Sequence, residues 1–276
     1  MKNTLPDPLM IMCAPNGARK MPADHPELPI TARQLARCAS QLLDAGASVL
    51  HLHVRDARGR HSLSPTLYRE AIAAVRNAVA DRLVIQVTTE AVGIYNREQQ
   101  MDVVRQLRPE AVSLALRELC PDENSIADSA DFFQWCAAEK IWTQYILYSP
   151  EEVARFAALH ARGVFAQDEP SVLFVLGRYS QDLTGRPEEL QDFINVWSGK
   201  TGRWACCCFG VTEQQAMLAA ARAGGHVRLG FENNLHRADG TIAHDNADLL
   251  RDFVKQLPVT DRRLADADDI RSLYLP

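Results

Sequence analysis

Two histidines, His51 and His53, stand two residues apart in the apolar run SVLHLHVRD at residues 48–56. In an extended strand, residues i and i+2 share a face, so both imidazoles point the same way. Two imidazoles and one carboxylate form a donor set for a single divalent cation. The carboxylate comes from far along the chain. GGHVRLGFENNL, residues 224–235, reads as a strand with Glu232 at its C-terminal tip. Arg228 lies four residues earlier, on the same strand face. A buried guanidinium is costly unless it meets a carboxylate or phosphate. Arg228 therefore either serves a substrate or closes an internal ion pair, with Glu90 or Glu118 as candidate partners. His226 shares that face lower down and reads as a hydrogen-bonded core histidine. Asp56 reads as a residue that orients a neighbour, and Arg55 should point away from the histidines.

Short apolar runs and helical patterns alternate along the chain and must position these groups. The strands are expected at 9–14, 48–54, 83–89, 111–116, 141–147, 172–177, 204–209 and 226–231. Most are nearly continuous apolar runs, as in parallel sheets covered on both faces. Between them lie amphipathic stretches such as 31–46 and 212–225. Thr31 with Gln34, and Ser149-Pro150 with Glu152, read as helix starts. Gly46 and Gly224-Gly225 read as stops. Eight β-then-α units in about 250 residues match a closed α/β barrel, the (β/α)8 TIM barrel. We expect one such domain over residues 1–276. An open doubly wound sheet is the alternative, but APNGARK after the first strand has neither GxGxxG nor P-loop spacing. Barrel closure makes the last, first and second strands consecutive staves, so Glu232 converges with His51 and His53 over the mouth. A His2Glu set with an open position is a catalytic zinc arrangement. It also resembles a non-haem iron set; zinc is preferred because nothing else in the sequence suggests oxygen chemistry. Residues 15–30 form a long, proline-rich loop of the kind that often carries function.

Composition excludes several classes. Hydrophobic residues make up 47% and charged residues 24%, with net charge −5. There is no basic footprint for nucleic acid and no apolar stretch near the length of a membrane span. The N-terminal residues lack a signal-peptide design. The expectation is a cytoplasmic protein with its seven cysteines as free, buried thiols. The run Cys206–Cys208 reads as small residues alternating between barrel interior and helix layer.

The segments AGASVLHLHVRDARGRHSLS, IQVTTEAVG and GGHVRLGFENNLHRADGTIAHDNADLL resemble the β-keto acid cleavage enzymes. The likeness runs from MCAPNGA to DIRSLYL. It implies a zinc-dependent TIM barrel, usually a homo-oligomer (dimer or tetramer), with a β-keto acid and acetyl-CoA as partners. The products would be acetoacetate and a new acyl-CoA, formed through a polarised carbonyl and a retro-Claisen step. It places the zinc ligands on His51, His53 and Glu232 and the catalytic arginine on Arg228. Thr88 and Thr89 match a hydroxyl-rich substrate loop, although either hydroxyl could instead bond local backbone.

Several positions depart from the family pattern. Asn233 stands where the arginine's acidic partner is usual. LRELCPD replaces a Gly-Thr-x-Asn turn and brings in Arg117 and Glu118. Gln144 stands near a usual glutamate. Arg19 occupies the place of an acidic residue that meets a substrate amine. The implied substrate is anionic or neutral, without a terminal ammonium, with Arg19, Thr88, Thr89, Glu118 and Gln144 as its candidate contacts. Two other functions compete. One is a metal-dependent hydrolase on the same barrel, although the fifth and sixth strands lack the histidines it would need. The other is a metal-binding family member without the usual reaction, which Asn233 favours.

Overall fold

Eight parallel strands close on themselves in the computed structural model, which describes residues 8–257 and 262–275. In chain order the barrel strands are β1 (Ile11–Cys13), β2 (Val49–Leu52), β5 (Val84–Thr88), β6 (Ala111–Ala115), β7 (Trp142–Leu147), β8 (Ser171–Leu176), β9 (Arg203–Cys208) and β10 (His226–Leu229). All eight expected strands are present at their expected places. The ring is shut by β1, which pairs with β10 on one side (Met12 beside Arg228) and with β2 on the other (Met12 beside Val49). Of the expected span 1–276, residues 1–7, 258–261 and 276 lie outside the described residues.

Strand alternation sorts side chains into two shells. Ile11, Leu50, Ile85, Val112, Tyr145, Phe174, Cys206 and Val227 pack outward under the helices. Met10, Met12, Val49, Val84, Trp142, Leu173, Ala205 and Cys207 fill the barrel interior. The cysteine run alternates as expected, with Cys207 inside and Cys206 and Cys208 in the helix layer. Moving up the same inward faces, the sequence changes from apolar to polar at His51, Gln86, Thr88, Ser113, Gln144 and Arg228, all buried. The polar tier lies toward the strands' C-terminal ends, where barrels of this type carry their sites.

Helices α1 (Ala32–Asp44), α2 (Pro65–Val79), α3 (Arg97–Leu107), α4 (Leu116–Leu119), α5 (Ile126–Ala138), α6 (Pro150–Ala161), α7 (Leu190–Trp197), α8 (Glu213–Arg222) and α9 (Asn246–Lys255) follow the strands. Helix α1 begins with the expected capping box of Thr31 and Gln34. At α6 the Ser149 hydroxyl caps the Glu152 N–H, but the Glu152 carboxylate turns to Tyr148 N–H and Arg117 instead of closing the box. Helix α10 (Ala267–Tyr274) covers the N-terminal end of the barrel, with Tyr274 stacked on Trp142 at 4.3 Å between centroids. Among the described residues no helix is long and apolar enough to cross a membrane.

One element was not expected. After β2 the chain forms a small antiparallel hairpin, β3 (Val54–Arg55) with β4 (His61–Ser62). Asp56 organises its turn by accepting from the N–H groups of Arg58 and Arg60. Asp56 thus orients its neighbours, as anticipated. The local signal was present in DARG, but two-residue strands are too short for a periodicity to reveal.

Candidate metal centre and active site

His51, His53 and Glu232 meet at the barrel mouth. The Nε2 atoms of the two histidines are 3.2 Å apart, and Glu232 Oε2 lies 3.7 Å from His51 and 3.2 Å from His53. Their ligand atoms all lie within 4.8 Å of one another. Below them, His51 Nδ1 lies 2.8 Å from Gln86 Oε1, and Gln86 Nε2 in turn donates to Gln144 Oε1 at 3.2 Å. A proton held on Nδ1 by the glutamine oxygen leaves His51 Nε2 bare toward the cluster. Burial, then the nearby Arg228 cation, lower the His51 pKa to about 3, so the imidazole is neutral at physiological pH. Burial opposes ionisation of Glu232, but the Arg228 cation beside it holds the carboxyl well below the ordinary range. Glu232 Oε2 is buried without a hydrogen bond. A buried carboxylate oxygen without a hydrogen bond, facing the ring nitrogens of His51 and His53, fits a bound cation.

Arg228 donates through one terminal nitrogen to Glu232 Oε1 at 2.8 Å and Asn233 Oδ1 at 3.1 Å. Its internal partner is therefore Glu232, and neither Glu90 nor Glu118 as the sequence suggested. Strand β10 ends at Leu229, and the turn through Gly230 places Glu232 against Arg228, while Glu90 is drawn across the mouth to Arg178 at 3.3 Å. Arg228 Nε remains buried and unpartnered. His226, lower on the same face, accepts from Met10 N–H at 3.1 Å, as expected of a core histidine.

The proline-rich first loop builds one wall. Gly17 has φ +58°, and a Cβ there would come within 2.5 Å of Glu232 Cγ, so only glycine lets the loop press on the ligand. Lys20 Nζ donates to the Glu232 carbonyl at 2.8 Å. Arg55 does point away from the histidines. Its guanidinium donates to the carbonyls of Asn16, Gly17, Lys20 and Gly59 and ties loop and hairpin together. Asn16 Nδ2 adds a bond to the His53 carbonyl at 3.2 Å.

The remaining expected contacts divide. Thr88, Thr89 and Glu118 line the inner cavity beside the histidines. Thr88 Oγ1 accepts from Glu90 N–H at 3.1 Å, and Thr89 Oγ1 donates to the Ser113 carbonyl at 3.2 Å. Only the Thr88 hydroxyl thus keeps its proton for a ligand. Glu118 holds Ala91 N–H and Gln100 Nε2. Gln144 does not line the cavity; it sits fully buried beneath Gln86, because its strand position falls one tier below the mouth. Arg117 pairs with Glu152 rather than Glu118 and lies between the rings of Tyr148 and Tyr179 at 4.6 and 4.4 Å. Arg19 is exposed and lines a separate outer cavity of about 370 Å³. The turn at Gly17 sends it outward and brings Lys20 in. The two cavities share Glu90, Arg178, Phe209 and Glu232.

Sequence reasoning missed Gln86, Ser113, Lys20, Arg178 and Glu213. Gln86 and Ser113 were findable as polar residues at inward positions of apolar strands. Ser113 Oγ lines the inner cavity without a partner. Lys20 and Arg178 depend on loop paths that no periodicity encodes. Glu213 opens α8 and is fully buried, accepting from Gly230 N–H and Asn233 Nδ2 at 3.1 Å each and from Asn234 Nδ2 at 3.3 Å. The cysteines offer no competing nucleophile. Burial pushes Cys207 up to about 11 and Cys208 up to about 12, so neither is a thiolate near neutrality.

Comparison with known proteins gives the chain a family. The family model for the beta-keto acid cleavage enzyme matches residues 8–275. The chain is 27% identical to a 3-keto-5-aminohexanoate cleavage enzyme of Fusobacterium nucleatum, over 96% of this chain and 97% of that one. It is 24% identical to a 3-oxoadipate:acetyl-CoA acetyltransferase of Cupriavidus necator, over 96% and 94%. In fold it is similar to ObcA solved as a binary complex with oxaloacetate, with TM-score 0.72 and 14% identity, over 90% of this chain and 67% of that one.

Proposed function

The chain belongs to the beta-keto acid cleavage enzyme family, and from that premise we propose that it transfers the acyl part of a β-keto acid to CoA, using acetyl-CoA and releasing acetoacetate. In that exchange the acid's C2–C3 bond breaks, its CH2–COO− unit takes the acetyl group, and the CoA sulfur takes the acyl group left behind. The observation that carries the reading is the convergence of His51, His53 and Glu232 beside the buried Arg228.

We assign zinc to the His2Glu set, whose two imidazoles and buried carboxylate suit that ion. When bound, zinc would supply Lewis-acid polarisation of the keto oxygen and stabilise enolate charge. The chain's own groups do the rest. Gln86 fixes the His51 ring. Arg228 keeps its proton throughout, since a guanidinium does not titrate in this range. Its free Nε is a donor for developing oxyanion charge. The Thr88 hydroxyl and the unpartnered Ser113 hydroxyl are suited to hold the substrate carboxylate.

Ala115, Ile146, Val175 and Phe209 line the inner cavity as an apolar wall. The cations near it, Arg178 and Arg117, are already paired with Glu90 and Glu152. This supports a substrate with a short uncharged tail over one with a carboxylate tail. The outer cavity combines apolar Leu183, Val211 and Phe209 with the cations Arg19 and Lys20. That mix suits the arm and phosphates of acetyl-CoA, so Arg19 serves the CoA side and not the acid's tail. The test is acetyl-CoA-dependent acetoacetate release from a short neutral, a dicarboxylic and an amino-substituted β-keto acid. The neutral acid should give the highest kcat/KM. Release from none of the three contradicts the function, and preference for the amino-substituted acid contradicts the account of the tail.

A further inference from the structure

Asn233 has two polar neighbours of opposite kind. On one side stands the Arg228 guanidinium, which can only donate; on the other stands the buried Glu213 carboxyl, whose Oε1 accepts from the Asn233 amide and from Gly230 N–H. Arg228 lies 3.1 Å from Asn233 Oδ1, and Glu213 Oε1 lies 3.1 Å from Asn233 Nδ2. The two neighbours therefore dictate the orientation of the amide, with its oxygen toward the arginine. Glu213 also receives the N–H of Gly230 and the amide of Asn234, so all its contacts fall on the turn that carries Glu232. That turn has little freedom of its own. Gly230 has φ +139°, and a Cβ there would lie 2.4 Å from the Ala14 carbonyl oxygen. Asn234 is held at its far side by the N–H and carbonyl of His236. A fully buried carboxylate that gathers three N–H donors from one five-residue turn is an organising group. In the first turn of α8 it also has the favourable end of the helix dipole.

We propose that Glu213 is a positioning residue for the cleavage reaction: it aims the Asn233 oxygen at Arg228 and fixes the turn that presents Glu232. The proposal rests on the function given above. It gives Asn233 a meaning that the sequence alone did not. The carboxyl group expected beside the arginine sits one hydrogen bond further away, at Glu213, and the amide is the spacer. An aspartate at position 233 would then be wrong in this chain, because it has no N–H to give Glu213 Oε1.

The experiment is a double-mutant cycle on kcat and KM with Glu213→Gln and Asn233→Asp, with metal content and thermal melting recorded for each variant. Glu213→Gln should lower kcat by about 10- to 100-fold, the usual range for groups that orient a site's ligands, with KM within about threefold. Asn233→Asp should lower kcat at least as much. The pair should be strongly non-additive: Asn233→Asp in the Glu213→Gln background should recover kcat about tenfold over Asn233→Asp alone. Singles whose losses simply multiply in a folded double variant would overturn the proposal, as would a Glu213→Gln protein with unchanged kcat. If Glu213→Gln does not fold, Asn233→Asp and Asn233→Ala decide the matter in the intact background. The carboxylate should be the more damaging change; an aspartate variant as active as wild type or better contradicts the proposal. Wild-type turnover separates the two levels of inference. An active wild type with a flat cycle removes only the Glu213 role, whereas an inactive wild type removes the function and this role with it.

Discussion

Arg228 concentrates the residue-scale chemistry. It is a buried cation that shares the carboxylate of a proposed metal ligand and leaves Nε without a partner. Arg228→Ala should lower kcat by about 10²- to 10⁴-fold, the range for groups that stabilise charge in the transition state, while His51, His53 and Glu232 retain metal. Arg228→Lys should recover little, because an ammonium lacks the Nε–H that the guanidinium leaves free for a ligand. Steady-state kinetics with elemental analysis check both. Unchanged turnover in folded Arg228→Ala would reduce this arginine to a structural counter-charge. At this scale the sequence was informative where one strand carries two groups. His51 with His53 follows from the two-residue repeat of a strand, whereas Arg228 on β10 meets Glu232 through the turn at Gly230. It was uninformative where a side chain chooses between partners on different elements. Arg117 found Glu152 on α6, and Arg19, expected at the substrate, lines the outer cavity, whereas Lys20, which the sequence did not single out, reaches Glu232.

At the scale of elements, the site depends on a loop without regular structure. The first βα loop reaches Glu232 through Gly17 and Lys20, and Arg55 of the β3–β4 hairpin holds it by three carbonyls while a fourth bond, to Gly59, anchors Arg55 in its own hairpin. Arg55→Met keeps the length of the side chain and removes every one of those donors. We expect the barrel to remain folded, residues 15–30 to become more open to proteolysis, and metal affinity to fall by about 10- to 100-fold, as for other supports of a metal site. Chelator competition and limited proteolysis measure this. Native-like affinity with an intact cleavage pattern would show that Gly17 packing alone suffices. All eight barrel strands were legible because each is a buried apolar run bounded by polar loop residues. The hairpin was not, since two residues per strand carry no pattern.

For the molecule as a whole, the closed order β1–β10 and β1–β2 is what turns distant sequence into one site. His51 and Glu232 are 181 positions apart, yet they stand on staves separated only by β1. That convergence could be read from eight β-then-α units before any coordinates, because closure leaves no other neighbours for the first strand. Glu213 could not, because its role depends on how α8 seats against the tip of β10. The central claim is that the His2Glu cluster holds the metal on which β-keto acid cleavage depends. The most direct measurement is acetoacetate release before and after the metal is stripped by a chelator, and again after one equivalent of zinc per chain is returned. The account predicts loss of release on stripping and its recovery with zinc in the wild-type protein, and no recovery when His51→Ala and His53→Ala are combined. Full turnover by the stripped protein, or recovery by zinc without the two histidines, would contradict it.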